Sequence, residues 1–283
     1  MSTIEVTDVS KSFKDTQALS HVNLQFKENT IYGLLGRNGA GKTTLLNIIN
    51  NRLFATSGTV TLDGDRLTEN TRALSCCFLA GGSNLYPEGM KVKQALKWSQ
   101  EFYPDFDMDY AKELCKMFDL PVKKKIKDLS TGYQSVFRNI VALSVNVRFV
   151  FLDEPVLGLD ANHRDLFYRV LIEKYAEHPF TAVISTHLIE EAANIIEWVI
   201  VLKKGEIIRN EPIESLLDSG YCISGPGTFI DSYLEGKEVI GTDTLGGLKT
   251  AYVMGVPDPQ LPAGTEVSRM NLQKLFIRLT EAA

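Results

Sequence analysis

A chain of 283 residues with 44% hydrophobic and 23% charged side chains can bury a full core, which excludes a disordered or collagen-like polymer. Its 35 acidic and 30 basic residues leave a formal net charge of −5, against the basic excess of a general nucleic-acid binder. No apolar run approaches the roughly 18 residues that a membrane span needs.

The start, MSTIEVTDVS, lacks a basic opening and an apolar stretch, so no signal peptide is expected. IEVTDVSKSF, HVNLQF and TVTLDGDRL alternate apolar and polar residues, as half-buried strands do. Asp63-Gly64 in the third is a hairpin signal. TIYGLLG is more uniformly apolar and predicts a fully buried strand. After Lys42 the pattern turns helical. The adjacent Cys76 and Cys77, with the two other cysteines, fit neither a metal spacing nor a disulfide framework and read as buried thiols of a reducing cytosol.

From about Leu85 to Leu143 apolar spacings of three and four predict helices over Val92–Phe102, Tyr110–Phe118 and Tyr133–Leu143. RFVFLDEP and FTAVISTH are short buried strands, and WVIVLKKGEII predicts a hairpin turning at Gly205. This order implies a mixed α/β nucleotide fold over residues 1–212 with a helical insert. Beyond Pro212 the style changes. Short strands, glycine turns and a last helix with Leu272, Leu275, Phe276 and Leu279 on one face predict a small α+β appendage over residues 213–283.

The stretch GLLGRNGAGKTTLLNII places glycines, a lysine and threonines between a buried strand and a helix. Glycine inside an element costs about 0.5–1 kcal/mol relative to alanine, so the bare backbone must serve something. Gly36–Thr43 spells G-x-x-x-x-G-K-T, a loop whose N–H groups turn inward around phosphates. The following helix aims its positive end at the same anion. Lys42 adds a point charge, and the Thr43 hydroxyl is placed to hold Mg2+. FVFLDEP ends in Asp153, where a carboxylate can orient a Mg2+ shell, and Glu154, where one can polarise an attacking water. STH puts His187 at the end of the next strand, on the crevice edge of the phosphate loop. His21, His163 and His178 read as structural. In DLSTGYQ, Ser130 can cap a helix starting near Gly132, a second anion site that suggests two chains sharing two nucleotides.

Together these residues resemble the ATP-binding subunit of ABC transporters, over roughly residues 3–212. Gly36–Thr44 matches the family's Walker A loop, so Gly36, Arg37, Asn38, Gly39, Ala40, Gly41, Lys42, Thr43 and Thr44 are implied to bind ATP. Leu129–Gln134 resembles the LSGGQ signature, Val150–Glu154 matches Walker B, Gly158–Asp160 the D-loop and His187 the switch histidine. Phe13 falls where the family stacks an aromatic on adenine, with a core phenylalanine as the competing reading. The resemblance implies an α/β P-loop core with an antiparallel β subdomain, a helical insert and the C-terminal appendage. It also implies a homodimer or heterodimer of ATP-binding subunits around two ATP. Ser130 and Gly132 would touch the γ-phosphate on the other chain, with transmembrane permease subunits as partners. The expected place is the cytoplasmic face of the cell membrane, with no direct nucleic-acid contact. The lineage is similar to bacterial exporters of the drug, bacteriocin or peptide-resistance type.

Three positions depart from the family pattern. Thr131 replaces a signature glycine, and Tyr133 the signature glutamine. The glutamine expected after the strand near Leu79 is missing: by spacing Gly81 or a neighbour holds the position, with Ser83 or Asn84 as substitutes through a water. Of the insert's aromatics, Trp98, Phe102, Tyr103 and Phe106 are expected mainly in the local core, and Tyr86 is expected to line the groove for the membrane partner. A soluble ABC ATPase acting on a non-transport complex is the alternative. Translation-type members carry two cassettes and repair members a long coiled coil, and neither feature is present. A P-loop kinase or GTPase would have no use for the signature or the strand-end histidine.

Overall fold

The computed structural model describes residues 2–82, 85–87 and 89–281. The chain opens with β1 (Thr3–Phe13), β2 (Thr16–Lys27), β3 (Ile31–Leu35) and α1 (Lys42–Ile49). β4 (Ser57–Leu62), β5 (Asp65–Arg66), α2 (Thr71–Leu74) and β6 (Cys77–Ala80) follow. The insert is α3 (Val92–Phe102), α4 (Met108–Met117) and α5 (Thr131–Ser144). Next come β7 (Phe149–Asp153), α6 (Ala161–Glu177), β8 (Thr181–Thr186), α7 (Ile189–Ala192), β9 (Trp198–Lys203) and β10 (Glu206–Pro212). The chain closes with α8 (Ile213–Asp218), β11 (Gly220–Pro226), α9 (Gly227–Tyr233), β12 (Val239–Leu245), β13 (Leu248–Met254), β14 (Glu266–Arg269) and α10 (Leu272–Glu281).

The central sheet has the order β10-β9-β3-β8-β7-β6. Its strands run parallel from β9 to β6, and β10 returns antiparallel through the Lys204-Gly205 turn. β3 and β8 are buried along their whole length because both faces of the sheet are covered, which is why their sequences are apolar without alternation. The alternating segments form a separate antiparallel sheet, β2-β1-β4-β5. α1 packs between the two sheets, with Leu45, Leu46 and Ile49 in one cluster with Val6, Leu24 and Phe151. Phe26 meets Tyr32 and Phe151 edge-on there, at centroid distances of 5.1 and 5.9 Å. Parallel order carries the C-terminal ends of β3, β7 and β8 to one edge, where the phosphate loop begins.

The insert packs through α4 against α5 and α3. α4 starts two residues earlier than its apolar period predicts, because the Asp107 carboxylate accepts the Tyr110 N–H at 2.9 Å. α5 starts at Thr131 for the same reason: Ser130 Oγ accepts the Tyr133 N–H at 3.3 Å. Tyr103 and Phe106 join the core, whereas Trp98 and Phe102 are 42% and 72% exposed. Tyr86 differs from its expected groove position. Its hydroxyl lies 2.6 Å from Ser99 Oγ, its ring packs 5.3 Å from Phe137, and burial pushes its pKa up to about 12. Leu85 beside it faces solvent instead.

Beyond α8, an antiparallel sheet of order β12-β13-β11-β14 forms the C-terminal layer. α10 buries Leu272, Leu275 and Phe276, with Leu279 half-buried, and these side chains continue the main hydrophobic cluster. All four cysteines are free. Cys77, Cys115 and Cys222 are buried, but Cys76 is half-exposed and its Sγ accepts from Arg148 Nη2 at 2.8 Å. Among the described residues no helix is long and apolar enough to cross a membrane.

Candidate active site

The phosphate loop leaves β3 at Gly36 and closes on α1 at Lys42. Gly41, the residue before the helix, has φ 109°, and a Cβ there would lie 2.6 Å from the Ala18 carbonyl oxygen. Only glycine meets both conditions, which answers why the backbone is bare at this point. Gly36 and Ala40 are buried, Arg37, Asn38 and Gly39 exposed, and Thr44 half-buried. α1 has no side-chain cap, so its first N–H groups remain available to an anion.

Lys42 folds back over the loop. Its Nζ donates to the Gly36 carbonyl at 2.5 Å and to the Arg37 carbonyl at 3.5 Å, and lies 3.8 Å from Glu154 Oε1. Burial lowers its pKa, opposed by the carboxylates of Glu154 and Asp153. Asp153 ends β7 and accepts from two hydroxyls: Thr43 Oγ1 at 2.8 Å and Ser185 Oγ at 2.9 Å. Glu154 follows with φ 51°, a conformation rare for a side-chain-bearing residue, held by its N–H donating to the Ser185 carbonyl at 2.8 Å. Its Oε2 lies 2.8 Å from His187 Nδ1. An ionised carboxylate only accepts, so the imidazole places its hydrogen on Nδ1 and leaves Nε2 for another partner.

The sequence therefore brings Lys42, Thr43, Asp153, Glu154 and His187 into one chain of contacts. The other expected residues lie around it. Phe13 is 45% exposed at the end of β1, with Lys11 Nζ 5.0 Å from its ring, so the core reading does not apply. Ser130 and Gly132 stand at the start of α5, and the Ser130 hydroxyl serves as its cap. Ser135 Oγ donates to Leu157 O and Asn139 Nδ2 to Pro155 O, both at 2.8 Å, so α5 is tied to the loop after Glu154. Asp160 caps α6, accepting from His163 N at 2.9 Å, and His163 stacks on Phe118.

Gly81 is one of the positions at which the missing glutamine is expected. A Cβ there would sit 2.5 Å from Asp153 Cβ, so no side chain fits at this point. Ser83 and Asn84 lie outside the described residues. Arg138 of α5 lines a small cavity with Gly81 and Tyr86. Burial lowers its pKa, opposed by the charge of Asp153. Sequence reading passed over Arg138 and Ser185. The signals were a lone cation in the apolar period of α5 and a hydroxyl two residues before the strand-end histidine.

The fold and this cluster define an ATP-handling cassette: a parallel sheet, a phosphate loop at its carboxyl edge, and a carboxylate–histidine pair beside it. Residues 19–157 match the family model for ABC transporter. The ABC transporter ATP-binding protein YtrB of Bacillus subtilis (strain 168) is 32% identical over 213 residues, 75% of this chain and 73% of that protein. The dimeric structure of MJ0796, a bacterial ABC transporter cassette, is similar with a TM-score of 0.66 at 26% identity, covering 74% of this chain and 98% of that one. A dimeric post-hydrolysis state of the same cassette, bound to ADP and Pi, matches with the same TM-score. The chain belongs to the ABC transporter ATP-binding proteins: it is an ATP-binding ABC ATPase, a subunit of a transporter.

Proposed function

We propose that the chain powers an exporter from the cytoplasmic face of the membrane, as one of two ATP-binding subunits that close head to tail around two ATP. The observation that carries this reading is the contact chain from Lys42 through Glu154 to His187 at the carboxyl edge of the sheet. Glu154 stands 3.8 Å from the Lys42 ammonium that would receive a γ-phosphate. On ATP binding, residues 36–44 cradle the phosphates with backbone N–H groups, and Lys42 exchanges its carbonyl and carboxylate partners for phosphate oxygens. Glu154 is then free to accept a proton from an attacking water, and His187 holds the carboxylate in place.

Thr43 and Asp153 present a hydroxyl and a carboxylate 2.8 Å apart, oxygen donors of the kind Mg2+ takes. That ion would neutralise phosphate charge when bound. Phe13 would stack on adenine, and Ser130, Gly132 and Asp160 of one chain would complete the other chain's site, in a homodimer or a heterodimer. Residues 213–283 form an accessory domain in this reading. The permease subunits would meet the insert through the exposed side chains Leu85, Trp98 and Phe102, with aromatic anchors as at other interfaces. Direct nucleic-acid contact has no place in this scheme.

The test is affinity purification of the chain from gently solubilised membranes, wild type against Trp98→Ser/Phe102→Ser. Co-purification of a multi-span membrane protein with the wild type, lost in a variant that still binds ATP, is the expected result. Recovery of a soluble complex in its place would favour the non-transport alternative.

A further inference from the structure

The two loops that bracket the chemistry each run directly into a helix. Asp160 caps α6, and His187 stands two residues before α7. Arg164, in the first turn of α6, reaches Glu191 of α7: Nη1 and Oε1 are 2.7 Å apart, with the side chains only 27% and 36% exposed. Tyr168 lies one turn further along α6 and is buried. Burial raises its pKa, the Glu191 charge raises it further, Arg164 opposes, and Glu154 adds to the rise. Arg164, Tyr168 and Glu191 thus form one polar cluster on the two helices that follow Asp160 and His187.

This cluster is a poor device for stability. Arg164 Nε, Glu191 Oε2 and the Tyr168 hydroxyl are buried with no hydrogen-bond partner among the described residues. Partly satisfied buried networks cost more than apolar side chains of the same size. It is well placed to fix position. α7 has four residues, too short to hold its own axis. It is pinned to the core by Ile189 and Ala192 and to α6 by the Arg164–Glu191 pair. Leu188 N–H donates to Thr186 Oγ1 at 3.0 Å, so the turn carrying His187 is braced between the end of β8 and the start of α7.

We propose that the Arg164–Glu191 pair is a positioning device that ties the D-loop helix to the switch segment and holds His187 against Glu154. Neither side chain touches nucleotide in this role; both act through His187. The inference rests on the reading of Glu154 and His187 given above.

The test uses the full chain, with steady-state ATPase, an ATP titration and a melting curve for every variant. Glu191→Gln should lower kcat about tenfold and leave KM for ATP within about twofold, the mark of an interaction used in the chemical step. The charge swap Arg164→Glu/Glu191→Arg should restore most of that loss. The apolar double variant Arg164→Met/Glu191→Met should stay slow while melting no lower than wild type, which a purely structural pair would not do. Wild-type kcat in Glu191→Gln overturns the proposal, as does a loss that follows a lowered melting temperature across the set. Glu154→Gln and His187→Ala run alongside. If these two keep wild-type turnover, the underlying site reading fails. If they are slow and Glu191→Gln is not, the positioning role alone fails.

Discussion

Replacing Glu154 by glutamine keeps the shape of the side chain and removes its charge. Two effects follow from the contacts of this carboxylate. A general base contributes about 10²–10⁴-fold, so turnover should fall by that amount. The second effect is on binding. Glu154 Oε1 lies 3.8 Å from Lys42 Nζ, and two unit charges at that distance attract by roughly 4 kcal/mol at an effective dielectric of about 20. Desolvation and screening offset most of this, since Glu154 is partly exposed. If about 1 kcal/mol survives, losing the competing carboxylate should tighten ATP binding about fivefold. Phosphate release measures the first effect, and titration with a fluorescent ATP analogue the second. Turnover within a factor of two of wild type would remove Glu154 from the role of base. Binding weakened tenfold would mean that the carboxylate holds the phosphate loop together instead of competing with the phosphate.

Lys42→Ala should weaken ATP binding about 10–100-fold, the loss of charge-assisted hydrogen bonds to phosphate; unchanged affinity in the titration would count against the phosphate-loop assignment. Gly81→Gln, which restores the family residue, should lower stability by about 1–3 kcal/mol and slow turnover, because its Cβ would press on Asp153 at 2.5 Å; an unchanged melting curve and turnover would contradict the packing argument. Hydrogen bonds from Tyr252 and then Arg278 hold the Asp243 carboxyl below its ordinary range, so its stabilising effect is present at neutral pH and is lost as pH falls through the lowered folded pKa. Asp243→Asn should therefore melt below wild type at pH 7, with the gap closing below about pH 4; a gap that persists into acid would show that charge is not its cause.

The phosphate loop was legible because its chemistry is local: one strand, one loop and one helix in a single run of sequence. Asp153, Glu154 and His187 were legible for a related reason, since parallel strands put their carboxyl ends on one edge. Sheet order was not, because periodicity marks a strand without naming its neighbours; nothing in TIYGLLG says that it lies between β8 and β9. The absence of glutamine at Gly81 could be read off, but not the contact that bars a side chain there, since Asp153 is remote in sequence. Tyr86 shows the limit for side chains. An aromatic beside proline reads as an interface anchor, yet a hydrogen bond to Ser99 and the Phe137 ring draw it inward, leaving Trp98 and Phe102 outside. The Arg164–Glu191 pair needs α6 and α7 to be placed before either residue acquires a partner.

The shared-site account turns on whether α5 of one chain completes the phosphate loop of another. Ser130→Asp isolates that contact. Aspartate caps a helix as well as serine, so α5 keeps its start, but its carboxylate would face the partner's γ-phosphate. Both chains carry Glu154→Gln so that hydrolysis does not reopen the dimer. Light scattering then gives the mass with and without ATP. The account predicts a monomer that doubles in mass on adding ATP, and a Ser130→Asp/Glu154→Gln chain that binds ATP with unchanged affinity and stays monomeric. Equal ATP-driven dimerisation of the two chains would contradict it.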